Sequence, residues 1–282
     1  MKTVFHTQAG TPYLKAPRVE LLAHTVVHPE ALKPFLEGFD ESLGFGDYLG
    51  DSFDPLDDAD ALTKIAGQLC YMSFGPERTM NADIHKYVDN IEKSGHGSVL
   101  EHANFSFLCW GLDRSVSHEL VRHRAGAAFS QVSQRYVDGK VLRFVERKSY
   151  QDDELLHRMF EERIDALVAE YDALAAHLAA KLAKRPDFEK LSKRDRRKLV
   201  NQDARSCLPN ETEAPIILTL NARSSRHVSQ MRGSGPADVA IRALLNETIP
   251  ILKNVGGAIF ADFEPVTLDD GSTAWTSKYS KV

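Results

Sequence analysis

Cysteine is scarce in this chain: Cys70, Cys109 and Cys207 are too few and too far apart for a disulfide framework, and no Cys-x-x-Cys pair offers a thiolate zinc site. No uninterrupted apolar run is long enough to cross a bilayer. The opening residues, MKTVFHTQAGTPYLKAP, lack the apolar centre of a secretory signal. These three absences give a cytoplasmic chain with reduced thiols as the expectation, with no membrane partner. A surplus of positive charge is missing too: the formal net charge is −5, so no global field draws in nucleic acid. Any local basic patch must then act through specific contacts, which favours a small anionic ligand over a polyanion. Repeats, low-complexity linkers and sharp shifts of composition are also absent, and 282 residues with 43% hydrophobic content can bury a sizeable core. A single domain over residues 1–282 is expected.

Several familiar motifs fail by a residue or two. HELVRH resembles a zinc helix, but the position four after His118 is Arg122, and His123 comes five after it. Five residues turn a helix by about 500°, which carries the second imidazole off the face of the first. His96, Glu101 and His102 are metal-capable types, yet hydrogen-bonding histidines account for them more simply, so no metal is expected. RGSGPADVAIR opens a helix and is glycine-rich, but fits neither the Walker nor the dinucleotide fingerprint. Cys207, before Leu-Pro, reads as a small buried apolar residue. Ser133 as a nucleophile needs a base in reach, whereas as a hydrogen-bond donor it needs none.

What is present alternates between short strands and amphipathic helices. Val19–Val27, the aromatic-rich Asn104–Leu112 and Pro215–Arg223 read as strands. Asp60 ends a Gly/Asp loop that caps a helix near ADALTKIAGQLCYMSF, and Asn81 is positioned to cap a helix that Gly95 closes. Ser115–Gly126 reads as a short helix on which Glu119 and Arg122 are neighbours. Leu156, Phe160, Ile164, Leu167, Tyr171, Leu174, Leu178 and Leu182 form one stripe of a long helix over Asp152–Lys184. A basic helical segment with KRDRRK follows and reads as a solvated face. Pro236 stands at the first turn of a later helix, and the tail reads as strand and turn around Asp270–Gly271.

The densest chemistry lies in RHRAGAAFSQVSQRYV, Arg122 to Val137. Arg122, Arg124 and Arg135 present rigid donor forks that suit phosphate, and Gln131 and Ser133 add neutral donors. The small residues between them let backbone come close to a bulky ligand. A solvated face with salt bridges fits the charges alone equally well.

The stretch does not stand alone. RHR, a spacer and then SQRY resembles the signature of the flavin-dependent thymidylate synthases. SGHGSVLEHANFSF upstream, and ARSCLPNET, LNARSSRHVSQMR and GAIFADFE downstream, resemble the family's other blocks in the same order, over roughly residues 65–264. The resemblance implies an α+β fold with a curved, mainly antiparallel sheet and long helices. It implies reductive methylation of dUMP to dTMP with bound FAD, NADPH as reductant and methylenetetrahydrofolate as one-carbon donor. It implies a homotetramer with sites shared between subunits. By the same carry-over, Ser98, Arg122, His123, Arg124, Gln131, Asn221, Arg223 and His227 would contact FAD. Glu119, Arg122, Gln131, Val132, Ser133, Gln134, Arg135 and Arg205 would surround dUMP. Arg232 would hold the pyrimidine carbonyl and favour the deprotonated base, which makes it the catalytic candidate.

Two features depart from the family pattern. The spacer Ala125–Val132 is eight residues long, one more than is usual, and Pro236 and Ala240 replace a usual histidine and a usual acid. These departures keep open a slow enzyme, one acting on another pyrimidine nucleotide, and a flavin- or nucleotide-binding protein without catalysis; the arginine cluster and KRDRRK separately keep open a second alternative class, a nucleic-acid module. Net acidity and the lack of interleaved aromatics count against the second.

Overall fold

The computed structural model describes residues 3–137 and 139–280. Met1, Lys2, Asp138, Lys281 and Val282, which fall within the single domain and the tail read above, lie outside the described residues. Helices and mostly antiparallel strands give the α+β class, with three separate sheets among the described residues. Two compact units are distinguishable, each assembled from three stretches of chain.

The first unit comprises Met1–Arg18, Cys109–Arg122 and Ser130–Ile217. Its small sheet orders Phe5–His6, Pro12–Leu14 and Phe144–Val145; the first pair is antiparallel and the second parallel, with Tyr13 opposite Phe144. The long helix runs Glu154–Leu182. Asp153 sets its start, its carboxylate accepting from the amides of Leu155 (2.9 Å) and Leu156 (3.0 Å). Only part of the expected stripe is fully buried: Phe160 and Ile164 close on Tyr13 and Phe144, and Tyr171 closes on Leu142 and Ala204. Ala204 ends the basic helix Lys193–Ala204, capped by Ser192 and packed along the long helix. The short helix Arg114–Leu120, capped by Asp113, stops before Arg122, shorter than the Ser115–Gly126 helix expected.

The second unit comprises Val19–Leu108, His123–Phe129 and Leu218–Val282. It holds most of the four-stranded sheet ordered Arg18–His24, Asn104–Trp110, Ile216–Asn221 and Ala127–Gln131. Alternation along Asn104–Trp110 sends Phe105, Phe107 and Cys109 inward. The Gly/Asp loop is more ordered than its composition suggests. Phe45 and Tyr48 sit in 3-10 turns and pack with Leu36 and Phe74 into an aromatic cluster. Asp60 lies in the helix Asp58–Tyr71 and accepts from the amides of Ala258 (2.8 Å) and Ile259 (3.1 Å). Burial pushes its pKa up to about 6 against those two bonds. GAIFADFE is therefore anchored through its backbone to this helix. Asn81 does not cap the next helix, Ile84–Lys93; its buried side chain accepts from Lys64 Nζ at 2.5 Å. Gly95 does close that helix, at φ +70. The tail forms the hairpin Phe263–Thr267 and Thr273–Ser277.

Candidate active site

In the second unit the site grows from one junction. The strand read as Pro215–Arg223 ends at Asn221, and the helix Ala222–Arg232 begins there. The reason is the Asn221 side chain, which accepts from the amide of Ser224 at 2.8 Å and caps the helix. The same junction grips the loop after RHR. Asn221 N donates to Gly126 O (3.0 Å), and Ser224 Oγ donates to Ala125 O (2.5 Å). Gly126 has φ +61, and a Cβ there would lie 2.3 Å from Asn221 Nδ2. The small residue thus serves the approach of the protein's own chain, where the sequence suggested space for a ligand.

Along the helix, Arg223 and His227 are one turn apart and Arg232 is its last residue. Arg223 pairs with Glu101 at 2.6 Å, both half exposed. Glu101 closes the 3-10 segment Gly97–Glu101 that packs on this helix and carries the exposed Ser98. Arg232 Nε donates to His123 Nε2 at 3.0 Å, and the His123 and His227 rings meet edge to face with centroids 5.6 Å apart. The bond requires the Nε2 lone pair, so His123 is neutral in this arrangement, with its proton on Nδ1. Arg124 is exposed beside them in sequence. The far end of the helix is held by the hairpin: Trp275 N donates to Gly233 O at 2.8 Å, and Gln230 Nε2 to Ser277 Oγ at 3.0 Å.

The buried face of the helix carries a network that the sequence did not single out. Arg226, 1% exposed, pairs with Glu92 and Asp262, each at 2.7 Å, and donates to the carbonyl of Ile259. Burial outweighs the attraction of Arg226 and pushes the Glu92 carboxyl up to about 8. Asp262 belongs to GAIFADFE, so that block and the helix share one ion cluster. Its only sequence trace is the position of Arg226 three residues after Arg223, which puts no mark on it as buried.

In the first unit, Gln131 Nε2 donates to Ser117 Oγ at 3.3 Å, and Val132 N to Pro215 O at 3.0 Å. Ser133 opens a turn whose carbonyl accepts from Tyr136 N (3.0 Å) and Val137 N (3.2 Å), and its Oγ accepts from Arg135 N at 3.4 Å. Among the described residues no imidazole or carboxylate bonds that hydroxyl. Gln134 and Arg135 are half-buried in the same turn, Glu119 is half-buried, and Arg122 and Arg205 are exposed. Arg205 starts the 3-10 turn Arg205–Cys207. The Cys207 thiol donates to Ala204 O at 3.2 Å, and burial raises its pKa, the reverse of an activated nucleophile. Among the described residues no three His, Cys, Asp or Glu side chains are placed to hold a metal ion.

The two expected ligand sets do not divide cleanly by unit, because Arg122 and Gln131 of the FAD set lie in the first unit and Arg232, expected at the pyrimidine, lies in the second. Ser98, His123, Arg124, Asn221, Arg223 and His227 lie in the second, with Arg232; Glu119, Arg122, Gln131, Val132, Ser133, Gln134, Arg135 and Arg205 lie in the first. The departures at Pro236 and Ala240 leave Arg232 supported, because its partner is His123. The neighbouring Arg242 is satisfied by Gly235 O at 2.7 Å and Ser272 Oγ at 2.9 Å.

Fold and site together define an α+β protein with an arginine–histidine centre at the end of a capped helix. Residues 53–256 match the family model described as thymidylate synthase complementing protein. Flavin-dependent thymidylate synthases of Mycobacterium tuberculosis and Mycobacterium avium are each 43% identical to this chain over 221 residues, 78% of it and 86% of each relative. The chain belongs to the flavin-dependent thymidylate synthase family. A crystal structure of the UMP/dUMP methylase PolB from Streptomyces cacaoi bound with 5-Br dUMP shares the fold, with a TM-score of 0.58 at 15% identity over 88% of this chain and 94% of that one.

Proposed function

We propose that this protein methylates dUMP to dTMP, using bound FAD, NADPH and methylenetetrahydrofolate. The observation that carries the reading is the coupling of Arg232 to His123, with His227 against the same imidazole. A guanidinium held through Nε has a fixed plane, so it can present its fork to a carbonyl whose negative charge grows in the transition state. Arg232 in that place holds the pyrimidine and favours loss of its N3 proton, which makes C5 a better nucleophile. His123 orients Arg232, and Gly126 and Asn221 fix the loop that carries His123.

The second unit suits a flavin dinucleotide. Guanidinium and imidazole donors at Arg124, Arg223, His123 and His227 favour its pyrophosphate. When bound, FAD supplies the redox chemistry that side chains lack. The first unit suits the nucleotide: Arg122, Arg135 and Arg205 for phosphate, Gln131, Ser133 and Gln134 as neutral donors. In balance, the methylene of the folate goes to C5, the C5 proton leaves, and two electrons from NADPH complete the methyl. Tetrahydrofolate departs unoxidised. No cysteine nucleophile is required, which agrees with the raised thiol pKa values of Cys109 and Cys207.

The reading extends to a homotetramer whose subunits share sites and to the cytoplasm, where the three free cysteines stay reduced. No helix among the described residues is long and apolar enough to cross a membrane. The test is product formation from dUMP and, separately, from UMP, with all three cofactors present. Formation of dTMP supports the reading. Methylation of UMP alone moves the acceptor, and binding of flavin and nucleotide without any product leaves a binding protein.

A further inference from the structure

The turn opened by Ser133 pushes Tyr136 into solvent, 41% exposed. Three cations gather on its ring: the guanidinium carbons of Arg135 and Arg194 at 5.9 and 5.2 Å from the centroid, and Lys198 Nζ at 5.6 Å. Among the described residues no carboxylate lies within ion-pair distance of any of the three, although the chain is acidic and many other arginines here are paired. Arg194 and Lys198 stand one turn apart on the helix Lys193–Ala204, a spacing at which like charges repel. Arg194 also sits in the first turn, where the helix amides add partial positive charge. The arrangement is held in place, since Asn201 Nδ2 on that helix donates to Val137 O at 2.6 Å. Cations gathered around one exposed ring, with no carboxylate partner among the described residues, favour the arrival of an anion.

We propose that Tyr136, Arg194 and Lys198, flanked by Arg135, receive the 2′-phosphoadenosine end of NADPH; this rests on the function proposed above. A flat base stacks on a tyrosine ring or on a guanidinium plane. A phosphate dianion accepts from guanidinium and ammonium together. The ligand that fits is a flat ring carrying a phosphate. A glutamyl tail has the charge without the ring, and a polynucleotide needs a row of stacking rings where this patch offers one. KRDRRK, a solvated face from sequence alone, thereby takes part in choosing NADPH over NADH.

The experiment titrates 2′,5′-ADP and 5′-AMP into the flavin-loaded protein and into its Arg194→Ala/Lys198→Ala variant, with Arg194→Gln/Lys198→Gln as a second pair. The native protein is expected to hold 2′,5′-ADP about tenfold more tightly than 5′-AMP, and both variants to lose that preference. In turnover, KM for NADPH should rise about tenfold in the variants, while KM for NADH, KM for dUMP and kcat stay level. Variants that bind 2′,5′-ADP as well as the native protein overturn the proposal. So do variants whose only change is KM for the folate or affinity for oligo(dT), which would assign the patch to those ligands instead. A native protein that makes no dTMP contradicts the function above, and the 2′,5′-ADP titration still decides the site.

Discussion

Arg232 and His123 act as one unit at the scale of single residues. On the proposed function, Arg232→Ala removes the guanidinium that would face the pyrimidine, and it removes His123's partner while leaving the other flavin-set residues untouched. We expect the variant to keep its flavin band and lose about 10²–10³ in kcat for dTMP formation, the cost of a lost transition-state donor. Unimpaired turnover would remove Arg232 from the role given to it. Gly126 makes a second residue-scale test. With φ +61 and the Asn221 side chain in the way, Gly126→Ala must displace the loop that carries His123. It should lower stability by about 1–3 kcal/mol in denaturant titration and loosen flavin. Arg232 and Gly126 were both visible in the sequence as residues. The distance between His123 and Arg232 was not, because 109 positions of chain separate them.

Elements show where periodicity informs and where it stops. The stripe from Leu156 to Leu182 defined the long helix to within two residues at each end, since capping by Asp153 and the approach to Pro186 are local facts. What the stripe could not tell is which of its members close fully on a core: Phe160, Ile164 and Tyr171 are buried, while Leu156, Leu167, Leu174, Leu178 and Leu182 stay half-buried. The strand-to-helix junction at Asn221 was misplaced by two residues, because PIILTLNAR carries β-prone residues up to the cap and the cap acts through Ser224 N. The element-scale prediction follows from that bond. Asn221→Ala should cost about 1 kcal/mol of stability and weaken flavin binding more than nucleotide binding, as read by flavin release and dUMP titration. Equal loss of both would place Asn221 outside the flavin set.

The whole molecule carries buried charge whose cost depends on pH. Glu92 at about 8 and Asp60 at about 6 are acids raised by burial, so the folded protein keeps protons that the unfolded chain has already released. The unfolded state then binds fewer protons, and stability falls as pH rises from the ordinary carboxylate range, by about 1.4 kcal/mol per unit for each group, Asp60 contributing up to about pH 6 and Glu92 up to about pH 8. Melting temperature should decline from about pH 5 to pH 8, and Glu92→Gln should flatten the upper part of that decline. A curve of unchanged slope in the variant would show that Glu92 ionises at an ordinary pH. Nothing in the sequence announced this network: an arginine, a glutamate and an aspartate far apart in the chain become partners only through the packing of one helix on the GAIFADFE segment. The function was legible for the opposite reason, because its residues fall in ordered blocks that can be read without the fold.

The most direct measurement is anaerobic reduction of the protein's flavin by NADPH, followed in the visible band with and without dUMP. The account predicts bleaching that accelerates when dUMP is present, as it must if nucleotide, flavin and reductant meet in one site. A flavin band that bleaches at the same rate whether or not dUMP is added, or a protein that takes up no FAD, would contradict it.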